Sequence, residues 1–355
     1  MVGTIIGTAG GWAPLAALRA RLLAEINATV HGQDLHLERY DRPAGDQGLF
    51  GPASVVWRVH GHPAGMLVGG FAALLLQSLH PLAMAAVDAH SDFRVDPTGR
   101  LHRTARFVTT TTLGSTAAAE AAIAAVRRIH PRIRGTAADG RAYRADDPEL
   151  LTWVHTAEVL CFLAGHQAFA ATALSAAECD GYLAEASLVA ERLGATAIPR
   201  SRSEATAYLA RIRPELTVTP AALEVLRLLR GFGRSRRERA AVRLLTNASI
   251  GLLPGWARDE LGVRRPRLVR SGWDRPLART GGRVMVWACG PSQIRAAAHA
   301  RATARPEGAP RGAVPPAAAP AAPAAPAAPA APAAPAAPAV VPPADRPAAG
   351  GSAVG

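Results

Sequence analysis

The sequence predicts a mainly α-helical protein. A single multi-helix domain is expected over residues 14–262, then an Arg-rich appendix over 263–304 and a disordered Ala/Pro-rich tail over 305–355. Three observations predict it. Apolar residues recur at helical spacing, as in the stripe Leu15, Leu18, Leu22 and Ile26. Helix starts are signalled repeatedly, by Pro14, by Asp96–Pro97, by Ser115 or Thr116, and by Asp146–Asp147–Pro148. The AAP triplets from Ala318 to Pro338 cannot bury a core and read as a disordered or polyproline-II-like extension.

Taken in order, the first helix runs from Pro14 to about Val30. Residues 31–52 are polar and turn-forming, ending in Gly48 and Gly51–Pro52. Residues 64–87 carry no charge and are long enough to span a bilayer. Gln77, His80, Pro81 and Gly69–Gly70 interrupt them, so a buried helix pair is expected; a peripheral membrane contact stays open. The next helix follows the turn Asp96–Gly99 and ends near Gly114 after the run Thr109–Thr112. A helix capped by Ser115 or Thr116 carries His130 and is expected to stop at Gly135. The segment RGTAADGRAYRADDP is expected to be a loop. A long apolar helix opens at Pro148, and further helices cover Ser175–Leu193, Glu204–Arg211, Pro220–Leu229 and residues 240–262. Arg234, Arg236, Arg237 and Arg239 read as an exposed helix start, and Arg283–Cys289 as a short strand.

Composition excludes several functions. The net charge of +13 would suggest nucleic acid or an anionic surface, but there is no lysine and only 5% of residues are aromatic. Arginine bias with little to stack on bases argues against nucleic-acid binding. Three distant cysteines, Cys161, Cys179 and Cys289, make neither a disulfide framework nor a CxxC or CxxCH motif. A reducing cytoplasm fits, with or without membrane association. The N-terminus has no basic region or cleavage site of a signal peptide.

Two polar constellations stand out. Arg100, Arg103 and Thr104 lie at i, i+3 and i+4; Arg127, His130 and Arg134 lie at i, i+3 and i+7. Each spacing places its members on one helix face. A histidine on an apolar helix suits iron ligation, and arginines suit carboxylates such as haem propionates. The alternative is a solvated basic helix end. Arginines at a positive helix end also call for an anionic partner, for which Asp88, Asp92 and Asp96 are at hand. Asp88-x-His90-x-Asp92 could seat a metal, though no HExxH or ExxH pair accompanies it. His155, Glu158 and His166 on the long helix are further iron-ligand candidates.

The runs FGPASVVWRVHGHP, LLLQSLHPLAMAAVDAHSDFRVDPTGRLHRTARFV and RRIHPRIRGTAADGRAYRADDPELLTWVH resemble the MpaB / latex-clearing-protein oxygenase family, over roughly residues 36–260 and closely over 50–156. The resemblance implies a globin-like helical core holding haem b through His130, with Arg127 and Arg134 fixing propionates or the His helix. It implies that Arg100, Arg103 and Thr104 order the pocket and polarise bound O2; Arg103 stands where the family pattern has Lys. Latex-clearing members use a glutamate upstream of that cluster as distal base. This chain has none between Glu38 and Glu120, and His80 or His90 is the second choice for that place. The implied activity is a haem-dependent oxygenase acting on a hydrophobic, isoprenoid or lipid-like small molecule or polymer, with oxidative C=C cleavage as the reaction. Two alternatives are a helical haem- or lipid-binding protein without turnover and a structural helical protein at a membrane.

Overall fold

The computed structural model describes residues 37–231, 236–263, 280, 283 and 292–305. The expected N-terminal helix, most of Arg283–Cys289 and the Ala/Pro-rich tail lie outside them. The described residues form a mainly helical single domain of twelve α-helices.

Each helix start has a local cause. Ser54 caps α1 (Val55–His60) by accepting from the Trp57 N–H. His62 caps α2 (Pro63–Gln77), and His80 stands before α3 (Pro81–His90); both helices place Pro at a first position that needs no N–H donor. Asp96 caps α4 (Pro97–Leu113), its Oδ1 accepting from Gly99 N at 2.8 Å. Ser115 caps α5 (Thr116–Ile129) and Asp147 caps α6 (Pro148–Phe169). Ser175 and Glu178 form a reciprocal capping box on α7 (Ala176–Leu193), which Gly194 ends at φ 107°. Ser201 caps α8 (Arg202–Ile212). Then come α9 (Pro220–Gly231), α10 (Arg236–Leu252), α11 (Gly255–Glu260) and α12 (Gln293–Thr303).

The apolar stretch 64–87 is a bent helix pair, α2 and α3, turned by 103°. No single helix among the described residues is long and apolar enough to cross a membrane. The polar interruptions make the bend. Gln77 donates to Val154 O at 3.0 Å and its own carbonyl accepts from Trp153 Nε1 at 3.2 Å, while Leu79 O accepts from Thr217 N at 2.8 Å.

The main core lies between α2 and α6, which pack more extensively than any other pair. Small residues make that approach possible. A Cβ on Gly69 would stand 2.7 Å from Cys161 O, and one on Gly165 would collide with Gly65 O. Leu75, Leu76, Leu79, Trp153 and Ala157 are fully buried there, with Ile250 of α10 and Leu253 just beyond it against them. A second core joins α1, α6 and α7 through Val59, Phe162, Tyr182 and Leu183.

Two expectations fail around His130. The α5 helix ends at Ile129 rather than at Gly135, because Pro131 has no N–H to return to Arg127. His130 therefore opens a 3-10 turn, His130–Arg132. The expected loop is a β-hairpin, β1 (Arg134–Thr136) against β2 (Ala142–Arg144), antiparallel with Gly135 opposite Tyr143. Gly140, at φ 85°, makes its turn. Gly135 is there because a Cβ would stand 2.6 Å from the Tyr143 hydroxyl.

α12 brings in a fully buried arginine. Arg301, 1% exposed, donates to the carbonyls of Tyr40 (2.8 Å), Asp46 (2.9 Å), Leu113 (3.0 Å) and Gly114 (3.1 Å). The last carbonyls of a helix lack partners within it, and Arg301 satisfies those at the end of α4.

Candidate functional site

A cavity of about 380 Å³ opens between α1, α4, α5, α6 and α7. That volume lies within the roughly 300–1,000 Å³ typical of ligand pockets. Its lining follows helical periodicity. On α4 the residues are Arg100, Arg103, Thr104, Phe107, Val108 and Thr111; on α6 they are Leu151, Val154, His155, Glu158, Val159 and Phe162. His130 contributes from beyond the end of α5, and His60 from the end of α1.

The cavity thus brings together Arg100, Arg103, Thr104 and His130, which lie in two separate stretches of sequence. Arg103 and Thr104 are exposed, so they stand where the cavity meets solvent. Arg100 donates to Ser91 Oγ at 2.6 Å, and Thr104 Oγ1 to Arg100 O at 3.2 Å. Arg103 Nη1 is 3.7 Å from Asp96 Oδ2, an exposed pair worth little by itself. Burial, and then the charge of Arg103, pulls the Arg100 guanidinium below its ordinary value. Two adjacent cations at a positive helix end favour an anionic group at the cavity mouth.

Arg127 and Arg134 are not brought in. Both are exposed and neither lines the cavity. Arg134 is a strand residue opposite Arg144, so the one-face geometry expected for Arg127, His130 and Arg134 does not form.

His130 is half-buried, and burial holds its imidazole below the ordinary value against the opposing pull of Asp146. A neutral ring keeps a lone pair for a metal. Burial holds His155 down to about 4, and its Nε2 has no hydrogen-bond partner. His60 is held to about 3 by burial and by His155; its Nδ1 meets Thr112 Oγ1 at 2.7 Å and its Nε2 meets the Tyr182 hydroxyl at 2.9 Å. With both nitrogens engaged, His60 is a structural link between α1, α4 and α7. Burial pushes the Glu158 carboxyl up to about 7.

A second cavity, of about 180 Å³, lies between α2, α3, α4 and α9. Phe71, Leu74, Met84, Phe93 and Leu228 are among its walls, which are mostly apolar. Arg100, Thr104 and Val154 line both cavities, so the two adjoin there.

Other candidates fall elsewhere. His80 is buried, with Nε2 3.9 Å from Glu215, and His90 Nε2 meets the Tyr143 hydroxyl at 3.2 Å; neither lines the larger cavity. His166 packs against His62. Asp88 pairs with Arg94 at 2.5 Å, and among the described residues no three His, Cys, Asp or Glu are grouped to hold a metal ion. Cys161 and Cys179 are buried and unpaired. Sequence reasoning missed His60 altogether, since its partners lie 52 and 122 residues away.

The residues present fit an iron porphyrin better than a metal ion held by protein ligands alone. The site offers single neutral imidazoles, one with an orphaned nitrogen, apolar walls, and cations at the mouth for carboxylates. Curated proteins and solved structures give no match. The sequence does match, over residues 57–288, the family model for the catalytic domain of the ER-bound oxygenases mpaB/B' and rubber oxygenase. The α4 cluster, His130, His155 and both cavities fall within that span apart from Phe50 and Val56 at the edge, and the chain belongs to this family of oxygenases.

Proposed function

We propose that this protein is a haem-b-dependent oxygenase that uses O2 on a hydrophobic, isoprenoid or lipid-like substrate, with oxidative C=C cleavage as its reaction. The observation that carries the reading is that one cavity is lined by both Arg100–Arg103–Thr104 and His130. When bound, the haem supplies redox-active iron for oxygen chemistry. The chain does the rest. His130 holds the iron through its neutral imidazole. Arg100 and Arg103 order the cavity mouth and bind anionic groups there. Thr104, hydrogen-bonded back to Arg100 O, keeps a hydroxyl at the border of the two cavities. Phe107, Val126, Val159 and Phe162 exclude water. Arg127 and Arg134 flank the His130 turn and steady it or meet propionates at the surface. The adjoining cavity of about 180 Å³ suits an apolar substrate chain that reaches the larger one past Val154. By the same family likeness the helical core is globin-like.

The test is an absorption spectrum with iron quantified, for the wild type beside His130→Ala. The expected result is a Soret band in the wild type that is lost or shifted in the variant. A band unchanged by the substitution would pass the ligand role to another imidazole, His155 first. A colourless, iron-free protein even after added haem would reject the reading. Oxygen uptake under reducing conditions separates an oxygenase from a haem- or lipid-binding protein without turnover.

A further inference from the structure

Among the described residues, Glu158 is the one half-buried carboxyl that no contact in the fold accounts for. The other half-buried acids among the described residues are all partnered. Asp46 accepts from Gly48 N at 2.6 Å, Glu185 from Val56 N at 2.9 Å, and Glu260 from Arg213 at 2.7 Å. Asp147 and Glu178 cap helices, and Asp146, Asp180 and Glu224 meet arginines. The Glu158 carboxyl has no hydrogen-bond or ion-pair partner among the described residues, yet it lines the larger cavity. An unpartnered carboxyl on the wall of a cavity calls for an explanation, and a molecule bound in the cavity supplies one.

The titratable groups around it explain its state. On α6 itself stand His155 and Cys161; from α7 comes Tyr182, and from α1 His60. Burial keeps both histidines neutral and pushes both the thiol and the phenol up, so none offers Glu158 a charge. His130 is likewise held down, and Arg100 and Arg103 line the same cavity on α4 without lowering Glu158. A carboxyl in an apolar site without a compensating cation is poised between acid and carboxylate near neutrality, which suits proton transfer.

We propose that Glu158 is the catalytic acid–base group of this cavity, exchanging one proton with the molecule bound there. The inference rests on the oxygenase reading. As the acid, Glu158 breaks its own O–H bond, gives the proton to an oxygen atom of the bound molecule and is left as the carboxylate. As the carboxylate it takes a proton from a C–H or O–H of that molecule and returns to the acid. Each proton lost by one partner is gained by the other, and no electron passes through Glu158.

The test uses the full chain loaded with haem, as wild type, Glu158→Gln and Glu158→Asp. Infrared difference spectra across pH follow the protonated-carboxyl band, and oxygen uptake with squalene as probe follows turnover. The expected result is a band that titrates near neutrality in the wild type and is missing in Glu158→Gln. Turnover should fall by about 10²–10⁴-fold in that variant, with the Soret band unchanged and partial recovery in Glu158→Asp. Wild-type turnover and pH profile in Glu158→Gln would overturn the proposal. So would a wild-type band that never titrates, whatever squalene does. A colourless chain whose Glu158 band still titrates near neutrality would sink the oxygenase reading alone. If Glu158→Gln does not fold, Glu158→Asp and the wild-type titration decide.

Discussion

Helix α6 carries two faces of opposite character. On one, Trp153, Ala157 and Cys161 are buried against α2, and the Trp153 indole N–H reaches the Gln77 carbonyl. On the other, Val154, His155 and Glu158 border open space. The difference is set by what lies opposite. Gly65 and Gly69 let the α2 backbone come into close contact with the α6 backbone. Across the cavity stand residues of α4, α5 and α7, apolar at Phe107, Val126 and Val189 and polar at Arg100, Arg103 and Thr104. One helix thus serves as both a close-packed beam and the wall of a chamber, with the Trp153 N–H bonded on the first face and His155 Nε2 and the Glu158 carboxyl left open on the second.

Substitutions can break or sharpen that contrast. The largest effect is expected from Trp153→Ala, which removes a fully buried side chain and should cost about 3–5 kcal/mol in urea unfolding. A loss under 1 kcal/mol would mean that the packed face is not the support of the fold. Next comes Glu158. The folded protein holds this proton up to about pH 7, whereas the ordinary value is 4.5. At pH values below the ordinary value both states are protonated and nothing is lost. Stability then falls as pH rises through the window between the two values, and the loss is complete above the higher one. At about 1.4 kcal/mol per unit it reaches about 3 kcal/mol. Glu158→Gln should therefore be more stable than wild type in alkali and equal to it in acid; equal denaturation midpoints at both ends would contradict the burial. The smallest effect is expected from Val154→Leu. A larger side chain there enters empty space, so the change should stay within about 1 kcal/mol, whereas overpacking a filled core typically costs about 1–3 kcal/mol. A large destabilisation by thermal melting would show the chamber to be closed at Val154.

Much of the fold was legible because its signals are local. Asp96, Ser115, Asp147 and Ser175 each announce a helix by a side chain that bonds a backbone N–H two or three residues on. The uncharged stretch 64–87 gave a bent pair because Pro81 and the polar Gln77 and His80 forbid one straight helix; α2 is largely buried as expected, whereas α3 buries only Pro81 and Met84. The His130 region was misread because a spacing of i, i+3, i+7 says nothing about Pro131 between its members, and because three-residue strands carry no visible alternation. Arg301 shows the same limit: an Arg-rich segment suggests a solvated face, and only the four carbonyls gathered from distant loops reveal a buried one. For the candidate site, Arg100, Arg103, Thr104 and His130 could be named from sequence. That His155 and Glu158 face them across one cavity depends on how α4, α5 and α6 are set, which no spacing records.

Arg301 also bears on how the chain comes together. Its partners at Tyr40 and Asp46 lie 261 and 255 residues earlier, and those at Leu113 and Gly114 lie 188 and 187 residues earlier. Contacts so remote in sequence close late and slow the search for the native state. During synthesis, the carbonyls at the end of α4 wait for their donor until almost all of the helical domain has left the ribosome. The helix that presents Arg100, Arg103 and Thr104 at its start is therefore sealed at its other end by the last described helix to be made.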